Sequence, residues 1–101
     1  MPKPVLSAAD LDREMADLNR ATADAPWQIA DGKLHKTFVF ADFVAAFAFM
    51  TAAALRAEKM NHHPEWRNVY KTVRVDLTTH ESGGITQLDF ALAAAMQRLA
   101  G

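Results

Sequence analysis

At 101 residues, with eleven basic and twelve acidic side chains and a net charge of −1, the chain has room for one domain around one core. That balance leaves no basic stripe for nucleic acid, and the absence of cysteine excludes disulfides and thiol nucleophiles. Half the residues are hydrophobic and 23% are charged, the make-up of a folded globule rather than a disordered segment.

The opening Met1-Pro2-Lys3-Pro4 leads into no apolar signal core, and with the missing cysteine this fits a cytoplasmic chain. Ser7 followed by Asp10 resembles a helix N-cap, and Leu11, Met15 and Leu18 form a helical stripe. A first helix is expected from about Ala8 to Ala21, broken by Ala25-Pro26. Trp27 to Ala30, Asp31-Gly32, and Lys33 to Phe40 read as a β-hairpin, because Asp-Gly supplies the positive φ angles of a tight turn. In the second strand Leu34, Lys36, Phe38 and Phe40 point one way, and His35, Thr37 and Val39 the other.

Asp42 is placed to cap a second helix from Phe43 to about Met60. The apolar run from Phe43 to Leu55, interrupted only by Thr51, is shorter than the roughly 20 residues of a membrane span. Phe43, Val44, Phe47, Phe49, Met50 and Leu55 nearly encircle this helix. One side should pack on the sheet, which leaves the other as a subunit interface.

The chain has four histidines, and three cluster as His62-His63-Pro64 and His80. Proline disfavours helical geometry in the residue before it, so His63 should be extended and the helix should stop near Asn61. Such a corner can aim both rings into one cleft, which a regular strand cannot do. From Asn68 to Thr79 residues alternate, with Val69, Lys71, Val73, Val75 and Leu77 on one face. Alternation alone leaves open one long strand or two short ones broken near Lys71-Thr72, where no glycine marks a turn.

Glu81-Ser82-Gly83-Gly84 is a loop, and Thr86 with Asp89 repeats the capping signature. Leu88, Leu92, Ala95, Met96 and Leu99 are the stripe of a last helix. The order α-β-β-α-β(β)-α predicts an α+β sandwich, an antiparallel sheet with helices on one face.

Several chemistries can be weighed. His62, His63, His80 and Glu58 are acceptable metal-ligand types, but no HExxH pair exists and adjacent histidines do not easily share one ion. Ser7 and Ser82, the only serines, lie in no nucleophile elbow, and Gly83-Gly84 is too short a signal for phosphate. General acid–base catalysis remains. It needs a proton donor and an acceptor flanking a substrate, and imidazole's unperturbed pKa of about 6.5 suits both tasks. Trp27, Trp66 and Tyr70 offer flat faces for a planar heterocycle, or equally a place in the core; His35 reads as a plain surface residue.

The residues Glu58, His62-His63-Pro64, Tyr70, His80 and Asp89 stand at spacings that resemble the signature of the pterin-4a-carbinolamine dehydratases. The likeness extends through Lys59-Met60-Asn61, Glu65-Trp66, Asn68-Val69, Leu77, Thr79, Glu81 and Thr86, and covers about Trp27 to Leu99. It implies a two-layer sandwich with a four-stranded antiparallel sheet, hence two short strands within Asn68–Thr79. It also implies a homodimer or homotetramer.

The implied reaction removes water from 4a-hydroxytetrahydropterin to give quinonoid dihydropterin, without a cofactor, downstream of aromatic amino acid hydroxylases. By that resemblance His62 and His80 form the acid–base pair, and His63 holds and polarises the pterin. Asn61, Thr78, Thr79 and Glu81 become substrate hydrogen-bond partners. Glu58 and Asp89 orient imidazoles, with helix capping as the other reading of Asp89. A non-catalytic assembly or coactivator protein on the same scaffold is the rival expectation, and a metal-binding module the third. Neither nucleic acid nor membrane is expected as a partner.

Overall fold

The computed structural model describes residues 3–20, 22 and 25–101. A first helix, α1 (Ala8–Arg20), begins where the Asp10 amide donates to Ser7 Oγ at 3.1 Å. The expected end at Ala21 lies outside the described residues, as do Met1 and Pro2. Next come β1 (Gln28–Ala30) and β2 (Lys33–Val39), joined by Asp31 and Gly32 at φ 53° and 73°, the double left-handed turn that Asp-Gly favours. Trp27, expected in the first strand, instead drops into the core at 1% exposure, where its edge meets Phe38.

Helix α2 (Phe43–Met60) has the expected limits. Asp42 Oδ1 accepts from the Ala45 amide at 2.8 Å, and Asn61 closes the other end in left-handed geometry at φ 53°. Two short strands follow, β3 (Glu65–Val69) and β4 (Thr72–Leu77), then α3 (Gln87–Ala100). One long strand is thereby excluded, and the pair does not lie within Asn68–Thr79 as expected: β3 already begins at Glu65, directly after Pro64. The break falls at Tyr70-Lys71, and the turn forms without glycine because Asn68 Nδ2 donates to the carbonyls of Tyr70 and Thr72 at 2.9 and 3.0 Å. Tyr70 itself takes φ 51°.

The four strands form one antiparallel sheet in the order β1-β2-β4-β3. Leu34 and Phe38 of β2, with Val73, Val75 and Leu77 of β4, face Ala46, Phe49, Ala53, Leu92, Ala93 and Met96 of α2 and α3. Sheet and helices thus form the two layers of an α+β sandwich, the predicted class. One expectation fails within it. Val69 does not share a face with Val73: it is 71% exposed while Val73 is buried, because the two-residue turn reverses the chain and puts Val69 opposite Thr72 on the outer face.

Lys36 shares a face with Leu34 and Phe38 as expected; that face is the buried one, and Lys36 is 1% exposed. Its Nζ donates to Gln97 Oε1 at 2.9 Å and lies 4.9 Å from the Phe38 ring centre, and Trp27 Nε1 donates to the same oxygen. Among the described residues no helix is long and apolar enough to cross a membrane.

Candidate active site

His62 stands just past the left-handed Asn61, where the chain leaves α2, and its amide still donates to Ala57 O at 3.0 Å. Pro64 and the start of β3 follow, so the helix-to-strand corner fixes both neighbouring histidines. At the far end of β4, Thr79 pairs with Gly84 across a tight loop that carries His80. The two corners meet. Asn61, His62, His63, Thr78, Thr79, His80 and Glu81 all line one cavity of about 420 Å³, with Lys3, Met60 and Leu88 completing its wall.

Each of the three histidines meets a carboxylate through Nε2. His62 Nε2 lies 2.6 Å from Asp89 Oδ1, His63 Nε2 lies 2.8 Å from Glu58 Oε1, and His80 Nε2 lies 2.8 Å from Glu65 Oε2. An ionised carboxylate can only accept, so Nε2 carries the proton in all three rings. In the neutral ring Nδ1 is then the basic nitrogen, and in the protonated ring Nδ1–H is the free donor.

The surroundings of these pairs differ. Asp89 is fully buried and His62 is 8% exposed, whereas the His63 and His80 side chains are 58% and 77% exposed. Burying a carboxylate is costly unless donors surround it, and Asp89 has three. Oδ1 takes the His62 proton; Oδ2 accepts from Thr79 Oγ1 at 2.8 Å and from the Thr86 amide at 2.9 Å. Because Thr86 is the N-cap of α3, Asp89 is a member of a capping box and holds His62 at the same time. Both readings of Asp89 therefore describe the same side chain. The Thr79 hydroxyl is committed to this cluster, 2.8 Å from Thr86 Oγ1 as well, which leaves it less free for a ligand than expected.

Glu58 pairs with His63 rather than with His62, one helical turn away. Trp27, Trp66 and Tyr70 do not line the cavity: Trp27 is core, Trp66 packs against the core, and Tyr70 is exposed on the β3–β4 turn. His35 is more engaged than a plain surface residue, with Nδ1 2.9 Å from Asp76 Oδ1 and Nε2 3.2 Å from Thr37 Oγ1. Among the described residues no cluster of three or more His, Asp or Glu side chains could hold a metal ion.

Sequence reasoning passed over Glu65 and Lys33. Glu65 opens β3 and binds His80 with one oxygen while its other oxygen accepts from Lys33 Nζ at 2.5 Å. The Lys33 ammonium, and after it the His80 ring, hold the Glu65 carboxyl below the usual carboxylate range; the same contact holds Lys33 above its ordinary value. Glu65 sits within the His-His-Pro-Glu-Trp run, so only the sheet register could have disclosed its partners.

The chain is thus an α+β sandwich in which three histidines, each held by a carboxylate, border one cavity where two corners of the chain meet. Residues 4–99 match the family model of pterin 4 alpha carbinolamine dehydratase, and the chain belongs to that family. A relative from Rhizobium leguminosarum, called "putative pterin-4-alpha-carbinolamine dehydratase", is 54% identical over 97 residues, covering 94% of this chain and 90% of that protein. One of the same description from Solibacter usitatus is 61% identical over 74 residues, 73% of this chain and 78% of the relative.

Among solved structures, a transcriptional coactivator/pterin dehydratase from Brucella melitensis superposes with a TM-score of 0.86 at 40% identity, covering 96% of this chain and 99% of that one. A pterin dehydratase-like protein described as a RuBisCO assembly factor in the alpha-carboxysome gives a TM-score of 0.64 at 26% identity, over 80% and 94% of the two chains.

Proposed function

We propose that this chain dehydrates a 4a-hydroxytetrahydropterin by histidine acid–base catalysis, and that it thereby returns a spent hydroxylase cofactor to its quinonoid dihydropterin form. In the reaction the C4a–O bond breaks, the hydroxyl leaves as water with an added proton, and N5 gives up its proton as the C4a–N5 double bond forms. Protonating the departing C4a hydroxyl and removing the N5 proton call for one general acid and one general base within reach of two neighbouring atoms.

One observation carries this reading. Three imidazoles with Nε2 tied to carboxylates border a single cavity of about 420 Å³, within the range of small-ligand pockets. His62 and His80 are the acid–base pair, each working through Nδ1, and His63 holds and polarises the pterin. Asn61, Thr78 and Glu81 supply polar contacts at the rim, and Thr79 acts mainly by supporting Asp89. Glu58 and Asp89 orient His63 and His62.

A scaffold used only for assembly or coactivation would have no need of three carboxylate-held histidines around one cavity. A stopped-flow assay of carbinolamine loss, with and without the protein, tests the activity. Acceleration at catalytic amounts is expected; no acceleration would refute the reading.

We further propose that the chain works as a homodimer or homotetramer. Val44, Phe47, Thr51 and Leu55 follow one another at helical spacing along α2 and are all exposed, Val44 at 75% and Leu55 at 70%. A second copy would cover that stripe.

A further inference from the structure

The motif that marks the site explains neither Lys33 nor Glu65, and these two make a chain of contacts that ends on a cavity histidine. Lys33 is the first residue of β2 and Glu65 the first of β3, with β4 between them in the sheet. Lys33 must therefore reach across the end of β4 to place Nζ 2.5 Å from Glu65 Oε1. Glu65 Oε2 then accepts the Nε2 proton of His80 at 2.8 Å. His80 sits on a loop with its side chain 77% exposed, so little packing holds the ring. A free imidazole rotates and exchanges tautomers, and a positioned one must be held from behind.

We propose that Glu65, anchored by Lys33, is the positioning residue of His80: it fixes the ring as the Nε2–H tautomer and thereby makes Nδ1 the nitrogen that exchanges a proton with substrate. This rests on the dehydratase reading, in which His80 is one of the two proton-transfer groups. The arrangement is the exposed counterpart of His62 and Asp89. There a buried carboxylate is fixed by Thr79 and Thr86; here a half-exposed carboxylate is fixed by an ammonium.

The test combines imidazole ¹⁵N NMR with dehydration kinetics on Glu65→Ala, Glu65→Gln and Lys33→Met. In the wild type, His80 is expected to show a protonated Nε2 and a bare Nδ1 when neutral. In Glu65→Ala its signals should move to a tautomer mixture, while those of His62 stay as they were, which shows an intact fold. kcat should fall about 10- to 100-fold, the range seen when the outer hydrogen-bond partner of a metal-bound histidine is removed, with KM changed far less.

Glu65→Gln keeps an oxygen acceptor and should fall between, and Lys33→Met should loosen the tautomer preference with a smaller loss of rate. An unchanged His80 tautomer in Glu65→Ala would overturn the proposal, and so would a changed tautomer with kcat within twofold of wild type. A wild-type protein without dehydration activity would overturn the dehydratase reading and the rate role with it, while the NMR comparison would still decide whether Glu65 holds the ring.

Discussion

Asp89 shows how much one side chain can combine. The capping pattern Thr86-x-x-Asp89 is legible in the sequence, a place beside a histidine is implied only by the family likeness, and the fold shows both contacts on two oxygens of one carboxylate. Replacing Asp89 by alanine would leave the His62 ring, the Thr79 hydroxyl and the Thr86 amide without their acceptor in a buried place. Such unsatisfied groups cost about 1–3 kcal/mol each, so Asp89→Ala should lower the urea midpoint markedly.

Glu65 gives a prediction with a sign. Its folded pKa is depressed, so its pairing contributes stability that is present above the unfolded value and is lost as pH falls through the folded value. Asp76, on the neighbouring strand and directly opposite Glu65, faces His35, while Lys33 and His80 face Glu65 itself. A ¹³C NMR titration should therefore find the Glu65 midpoint below the ordinary value of about 4.3, and Lys33→Met should move it upward. A wild-type midpoint at or above the ordinary value would contradict the contacts. The seven expected site residues that border the cavity could be picked out because two local motifs, which the family likeness runs through, carry them all; Lys33 and Glu65 could not, because a contact from β2 to β3 depends on strand order.

Among the elements, α2 and the first hairpin were the most legible. Asp42, Asn61-His62-His63-Pro64 and Asp31-Gly32 are local stop and turn signals whose physics does not depend on the rest of the chain. The second hairpin was hidden from the alternation and came only from the family likeness, because its turn uses a side chain in place of glycine and the alternation runs on through Tyr70-Lys71 as if unbroken. Asn68→Ala should cost about 1–3 kcal/mol, since two hydrogen bonds worth roughly 0.5–1.5 kcal/mol each are lost at the turn. Thermal unfolding of that variant measures it; an unchanged midpoint would mean that the strands alone hold the turn.

For the whole molecule, the layered fold places the site at one end of the sheet, while the exposed stripe of α2 lies on the helix itself. A domain of this size has little apolar surface to spare, and the exposed stripe of Val44, Phe47, Thr51 and Leu55 is the surface that the proposed second copy would cover. Phe47→Glu combined with Leu55→Glu should reduce the sedimentation mass to that of one chain. A wild type that already sediments as a single chain at micromolar concentration would remove the interface.

The most direct measurement is the rate of carbinolamine dehydration by the wild type, His62→Ala and His80→Ala, each shown to be folded. A positioned acid or base is worth about 10²–10⁴-fold, and each substitution should cost a loss of that size. Two variants that both retain rates within a few-fold of wild type would contradict the claim that these two imidazoles perform the chemistry.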